Sequence, residues 1–173
     1  GKVITIPNNT HANQIYTAAW TPITYTITFN PNNGVNPAIQ TEWTSYDMSK
    51  LPLSGVSVTP TRTGYTFNGW TGHGLTNHKA PFSIISTTNG VPGDLTYTAQ
   101  WTLDTYNLNY DLGGGAVATA NPATYTYTTP TITLNNPTRT GYTFAGWTGT
   151  DITGTSMSVQ IPQGSVGHRS YTA

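Results

Sequence analysis

The chain has 173 residues, enough for one ordinary domain or two small ones. Six basic and six acidic side chains cancel and only 7% of residues are charged, so neither nucleic acid nor an anionic lipid surface finds a matching footprint. There is no cysteine, which excludes disulfides and thiolate metal sites, and no apolar run approaches the ~20 residues of a membrane span, so no membrane insertion is expected.

In place of ions the chain carries Thr, Tyr, Asn, Gly and Pro, a surface wetted by hydroxyls and amides. The opening GKVITIPNN lacks the regions of a signal peptide, and the chain reads as a mature piece or a fragment. The Thr and Asn richness points by composition to an extracellular setting. One N-glycosylation pattern, Asn8-Asn9-Thr10, precedes the first regular segment.

In chain order, Tyr16-Thr17-Ala18-Ala19-Trp20 is the first of three copies of one strand, followed by Tyr97-Thr98-Ala99-Gln100-Trp101 and Tyr171-Thr172-Ala173. Next comes TYTITFNPNNG (24–34), where Tyr25, Ile27 and Phe29 alternate with threonines, the period of a half-buried strand. Its counterpart is TYNLNYDLGGG (105–115), 81 positions on. Pro31-Asn32-Asn33-Gly34 and Leu112-Gly113-Gly114-Gly115 tolerate positive φ and predict hairpin turns. Around Glu42 to Leu53 the spacing of Trp43 and Tyr46 allows a short helix stopped by Pro52. The corresponding ATYTYTTPTIT (123–133) reads as strand.

The longest repeat is PTRTGYTFNGWTG (60–72) against PTRTGYTFAGWTG (137–149), 77 positions apart, with Asn68 replaced by Ala145. Pro60 and Pro137 stop a strand and Gly64 and Gly141 permit a turn. Tyr65-Thr66-Phe67 and Tyr142-Thr143-Phe144 start a new strand, and Gly69 and Gly146 allow close approach before Trp70 and Trp147. A module of ~75 residues buries little surface, so large aromatic side chains are needed to hold it. The order of blocks divides the chain into the C-terminal part of a preceding repeat (1–20), a complete repeat (22–101) and a second repeat (103–173). The fold class expected is mainly β, in small tandem modules with little or no helix.

A duplicated catalytic unit would carry its ionisable groups in both copies. His73 and His78 follow the first signature, whereas Thr150, Asp151 and Thr153 follow the second, and His11 and His168 fall elsewhere in their loops. Neither these histidines nor Asp104 and Asp111 have the spacing of a zinc or calcium site, so no cofactor is expected. Arg62 and Arg139 are the only charged side chains at matching positions. They are read as planar cations over a ring of the signature, bonded to loop carbonyls, with a ligand contact as the alternative.

The sequence of blocks Tyr25 to Gly34, Pro60 to Trp70 and Tyr97 to Trp101 resembles the Listeria-Bacteroides repeat, also called the internalin B-repeat family. The resemblance covers nearly the whole chain. It implies a small β-grasp-like module strung in tandem in bacterial cell-surface or secreted proteins, non-enzymatic, serving as adhesin stalk, spacer or interaction domain. The expected partners are neighbouring repeats or identical chains, and a host or cell-surface protein or glycan. It implies no catalytic, metal or cofactor residues, and the scarcity of charge departs from its members. Two alternatives follow from the residues themselves. One is a filament or sheath subunit assembled by β-strand addition. The other is a carbohydrate-binding module, with Trp43, which has no partner in the other repeat, as exposed ligand platform.

Overall fold

The computed structural model describes residues 3, 5, 8, 13, 15–40, 43–47, 51, 53–73, 75–78, 82–84 and 93–173, with the backbone alone for 75–78, 82 and 84. It is mainly β, with no α-helix among the described residues. The first module holds β1 (Tyr25–Asn30), β2 (Ser45–Tyr46), β3 (Leu53–Val56), β4 (Tyr65–Gly72), β5 (Leu75–His78), β6 (Phe82–Ile84) and β7 (Leu95–Leu103). The second holds β8 (Thr105–Asp111), β9 (Thr124–Thr126), β10 (Ile132–Thr133), β11 (Thr148–Gly149), β12 (Gln160–Ile161) and β13 (Arg169–Thr172).

The two sheets share one order. In the first it is β2-β1-β7-β4-β5, and in the second β9-β8-β13-β11, written in the same direction. Each has its first and last strands side by side and parallel, Ile27 to Asn30 on Leu95 to Thr98 and Leu108 to Asp111 on Arg169 to Thr172. Each carries a small separate ladder, β3 with β6 and β10 with β12.

Alternation along β1 does what its spacing dictates: Ile27 and Phe29 are buried while Thr26 and Thr28 face solvent. Phe29 packs edge-on to Trp70 at 5.1 Å and stacked on Tyr97 at 5.6 Å, at the centre of a core that also contains Tyr46, Val56, Val58 and Leu95. The second core repeats this with Leu108, Tyr125, Leu134, Trp147, Val159, Ile161 and Tyr171. Removing one such side chain from water is worth ~1.5–3 kcal/mol, a large share of what a small module can hold.

Four local expectations are corrected by the sheet. Around Trp43 there is one residue of 3₁₀ turn and then strand β2, because the edge of β1 offers a partner and the Tyr46 ring is taken into the core beside Tyr25, at 5.5 Å. Residues 42, 48–50 and 52 of that expected helix lie outside the described residues. The turns after β1 and β8 form as expected, with φ of 48° and 65° at Asn32 and Asn33 and of 59° and 82° at Gly113 and Gly114. They do not close hairpins: Val35 bridges Thr61 and Ala116 bridges Thr138, so the chain leaves the sheet. Tyr16 to Trp20 is not in a strand, since no described strand pairs with it. Tyr142-Thr143-Phe144 is not in one either, unlike Tyr65-Thr66-Phe67.

Candidate functional site

The repeated signature builds three things: a buried indole, a clamp on a turn, and a module end. Trp70 and Trp147 are wholly buried. A buried indole N–H needs an acceptor, and each copy solves this differently. Trp70 Nε1 donates to the Val58 carbonyl at 2.8 Å, whereas Trp147 Nε1 donates to the Asn136 side-chain oxygen at 2.9 Å. Phe67 and Phe144 stand edge-on to these indoles at 5.5 and 5.7 Å. Gly69 and Gly146 precede them at φ of 127° and 128°, a conformation closed to side chains.

The clamp is an arginine over a tyrosine. The Arg62 guanidinium lies 3.7 Å from the Tyr65 ring centre and Arg139 lies 3.9 Å from that of Tyr142. Each also donates from Nη1 to a carbonyl in the turn after the first strand of its module, Asn32 at 3.4 Å and Gly113 at 2.8 Å. The cation is thus held inside its own module, worth ~0.5–1 kcal/mol as a solvent-accessible stack.

At the module end the copies part. Asp104 alone separates β7 from β8; its N–H donates to the Gly64 carbonyl at 3.0 Å and its carboxylate accepts from Thr66 Oγ1 at 2.6 Å. Gly64 lies against the second module's Tyr127, whose Cβ would stand 2.4 Å from any Cβ added there. Tyr65 and Tyr127 face each other at 6.5 Å. Between the modules opens a cleft of about 700 Å³, walled by Arg62, Tyr65, Phe67, Trp101, Tyr127 and Thr128. At the matching corner of the second module nothing among the described residues lies within 4 Å of a Cβ on Gly141, and Tyr142 is 67% exposed.

Titratable groups do structural work. Burial, then the nearby Tyr46, pushes the Tyr97 phenol up to about 12, and burial with Tyr171 does the same for Tyr110, so both stay protonated. The Asp94 carboxyl is held below its usual range by the Thr26 N–H, which it accepts at 2.8 Å. The second module puts His168 there: its Nδ1 accepts the Asn107 N–H at 2.9 Å. The sequence does not mark this pair, because the two residues differ in type, although Asp94-Leu95-Thr96-Tyr97 and His168-Arg169-Ser170-Tyr171 align through their tyrosines. Tyr127 carries no such signal, since no repeated motif contains it.

Trp43 is half-buried and packs against the first core, so it is not a freely exposed platform. His73 sits edge-on to Tyr97 at 5.9 Å; His11 and the His78 side chain lie outside the described residues. Among the described residues no three His, Asp or Glu side chains could hold a metal ion together, and no helix is long and apolar enough to cross a membrane.

Comparison with known proteins places these features. The Listeria-Bacteroides repeat domain family matches twice, over residues 25–100 and 106–166. Internalin H of Listeria monocytogenes is 35% identical over 89 residues, 51% of this chain and 15% of its own length. Two proteins of Evansella cellulosilytica named provisionally as membrane proteins, one of them as Gly-rich, are 26% and 27% identical over 78% and 75% of this chain. The match spans only 14% and 18% of their length. No solved structure matches significantly. With two matches that together cover most of its length, the chain belongs to the Listeria-Bacteroides repeat family.

Proposed function

We propose that this chain is a non-enzymatic, extracellular part of a bacterial surface protein, a spacer that sets functional regions away from the cell. The observation that carries it is the joint. A one-residue linker is tied to Gly64 and Thr66 and its corner is packed by Tyr127, an arrangement that resists bending between modules. What the two copies share is core, turn and clamp; what they do not share is any ionisable constellation, as suits a module selected for shape. The parallel pairing of first and last strands in both sheets supports the β-grasp-like form, and the internalin and membrane-protein relatives support the surface location.

Small-angle scattering of the chain tests the spacer. The reading expects an elongated particle whose dimensions hold across salt concentrations, and a distribution of bent forms would sink it. Antibodies against the chain should label intact cells of the bacterium that makes it; labelling only after lysis would remove the surface assignment.

A further inference from the structure

We propose that the cleft between the modules is a binding site for an acidic glycan, a chain of sugar rings that carries carboxylates. This goes beyond the spacer reading, which stands whether or not the cleft is filled. At about 700 Å³ the cleft falls in the size range of pockets that take small ligands. Residues of both modules wall it, and the tie of Asp104 to Gly64 and Thr66 holds those walls in place. A ligand therefore meets a formed site and bears little of the cost of ordering it.

The lining combines aromatic rings with unpaired polar groups. Tyr65, Phe67, Trp101 and Tyr127 are half-buried there, whereas the signature indoles Trp70 and Trp147 are wholly buried. Trp101 is fixed by its Nε1–H bond to the Pro31 carbonyl at 3.0 Å and by Phe67, edge-on at 5.4 Å, which makes its indole a rigid platform. Around these rings the side chains of Asn33, Thr61, Thr63, Tyr65 and Tyr127 make no hydrogen bond to another described residue. A sugar ring presents an apolar C–H face and an edge of hydroxyls that donate and accept, which is what rings and such polar groups together can satisfy. Trp43, packed on the first core, takes no part.

The turn after β1 shows that this polar lining is not demanded by the fold. Asn32 and Asn33 hold φ of 48° and 65° where the second module has Gly113 and Gly114 at 59° and 82°. Glycine enters that region without strain, and asparagine does so less readily. Asn32 has an internal use, since its Nδ2 donates to the Ala99 carbonyl at 3.1 Å. Asn33 has no such bond and lines the cleft.

Charge selects an acid. Of the five N–H donors of a guanidinium, Arg62 engages one, on the Asn32 carbonyl at 3.4 Å, while its plane rests on Tyr65. Ring and carbonyl hold the cation in place without cancelling its charge. Among the described residues no acidic side chain lines the cleft, and the Asp104 carboxylate of the joint accepts from the Thr66 and Tyr106 hydroxyls at 2.6 and 3.5 Å. A planar cation with donors to spare suits a carboxylate, which can take two parallel bonds from it. A Pro-rich peptide would use the rings and leave the cation unmatched.

Titration of the full chain with a short oligogalacturonate, followed through the NMR signals of its indole N–H groups, tests the proposal. The Trp101 signal should move while that of Trp147 stays, and added salt should weaken binding. The methyl-esterified oligogalacturonate, with the same rings and no charge, should bind ~tenfold more weakly. Arg62→Gln should lower affinity for the acid by a similar ~tenfold and leave that for the ester unchanged. Arg139→Gln removes the same clamp from the second module and should leave binding as it is, which separates a ligand contact from a lost clamp. Tyr127→Ala should abolish binding with the Trp70 and Trp147 signals in place. A Trp101 signal indifferent to the acid, equal affinity for acid and ester, equal losses in Arg62→Gln and Arg139→Gln, or a Pro-rich peptide that moves the Trp101 signal in place of the acid would each overturn the proposal.

Discussion

Thirteen positions written almost identically, residues 60–72 and 137–149, fold differently in the two modules. In the first, Tyr65–Gly72 is an eight-residue strand; in the second, only Thr148–Gly149 is paired as strand. The one substitution is not the reason, because Asn68 falls at the register shift between Phe67 and Gly69, where it has no paired partner, and bonds Thr102 through its side chain. The reason is the partner. Tyr65, Thr66 and Phe67 pair with Leu103, Thr102 and Trp101, whereas β13 reaches Thr172, which pairs with Thr148. A strand is a property of a pair, and half a ladder leaves the same residues as loop.

The buried indoles are the common ground of the two modules, so breaking them has the largest effect. Trp70→Ala and Trp147→Ala should each cost ~3–5 kcal/mol, enough to unfold a module of this size. Trp147 is the sole tryptophan of the second module and reports on it alone. If its emission keeps a buried character in Trp70→Ala, the modules fold independently; simultaneous exposure would mean that the Asp104 joint makes them one cooperative unit. Urea titration followed by fluorescence decides between the two.

Appending Gln-Trp-Thr-Leu after Ala173 should erase the difference in the signature. The second module would gain an indole worth roughly 1.5–3 kcal/mol on burial, and amide exchange at Tyr142 to Phe144 should slow toward that of Tyr65 to Phe67. Unchanged exchange would show that something other than the missing partner keeps that stretch out of the sheet.

A smaller contrast lies in the corner glycines. Gly64 and Gly141 have φ of 76° and 79°, so an Ala at either position costs ~1–2 kcal/mol of backbone strain. At Gly64 the new methyl must also displace Tyr127, starting from its Cβ, whereas at Gly141 it meets open space. Gly64→Ala should therefore melt lower than Gly141→Ala and loosen the joint in small-angle scattering. Equal melting temperatures would mean that Tyr127 yields without cost.

The smallest contrast is one of pH. Asp94 has its carboxyl lowered in the fold, so the stability it contributes is present above the ordinary carboxylate range and lost as pH falls through the lower folded value. At the matching place in the second module His168 Nδ1 accepts the Asn107 N–H, so that contact is made without a carboxylate. Acid that protonates Asp94 should therefore speed amide exchange at Thr26. His168→Asp should give Asn107 the same acid response as Thr26; an Asn107 amide that does not follow Thr26 would place the sensitivity elsewhere.

Much of the architecture is written locally. The alternation of Tyr25, Ile27 and Phe29 with threonines determined a half-buried strand, because side chains on a pleated backbone point to opposite faces whatever lies beyond. Asn32-Asn33 and Gly113-Gly114 determined turns of positive φ, since few other residues enter that region without strain. The spacing of Arg62 from Tyr65, and of Arg139 from Tyr142, carried the clamp, which needs only a turn between cation and ring. Tertiary contact decided the rest. It made a strand of Ser45–Tyr46 where periodicity suggested helix, put Tyr127 against Gly64, matched Asp94 with His168 in one role, and gave one signature two secondary structures. In each case the missing information lay in a distant segment, because backbone N–H and C=O groups of a sheet are satisfied by whichever strand arrives beside them.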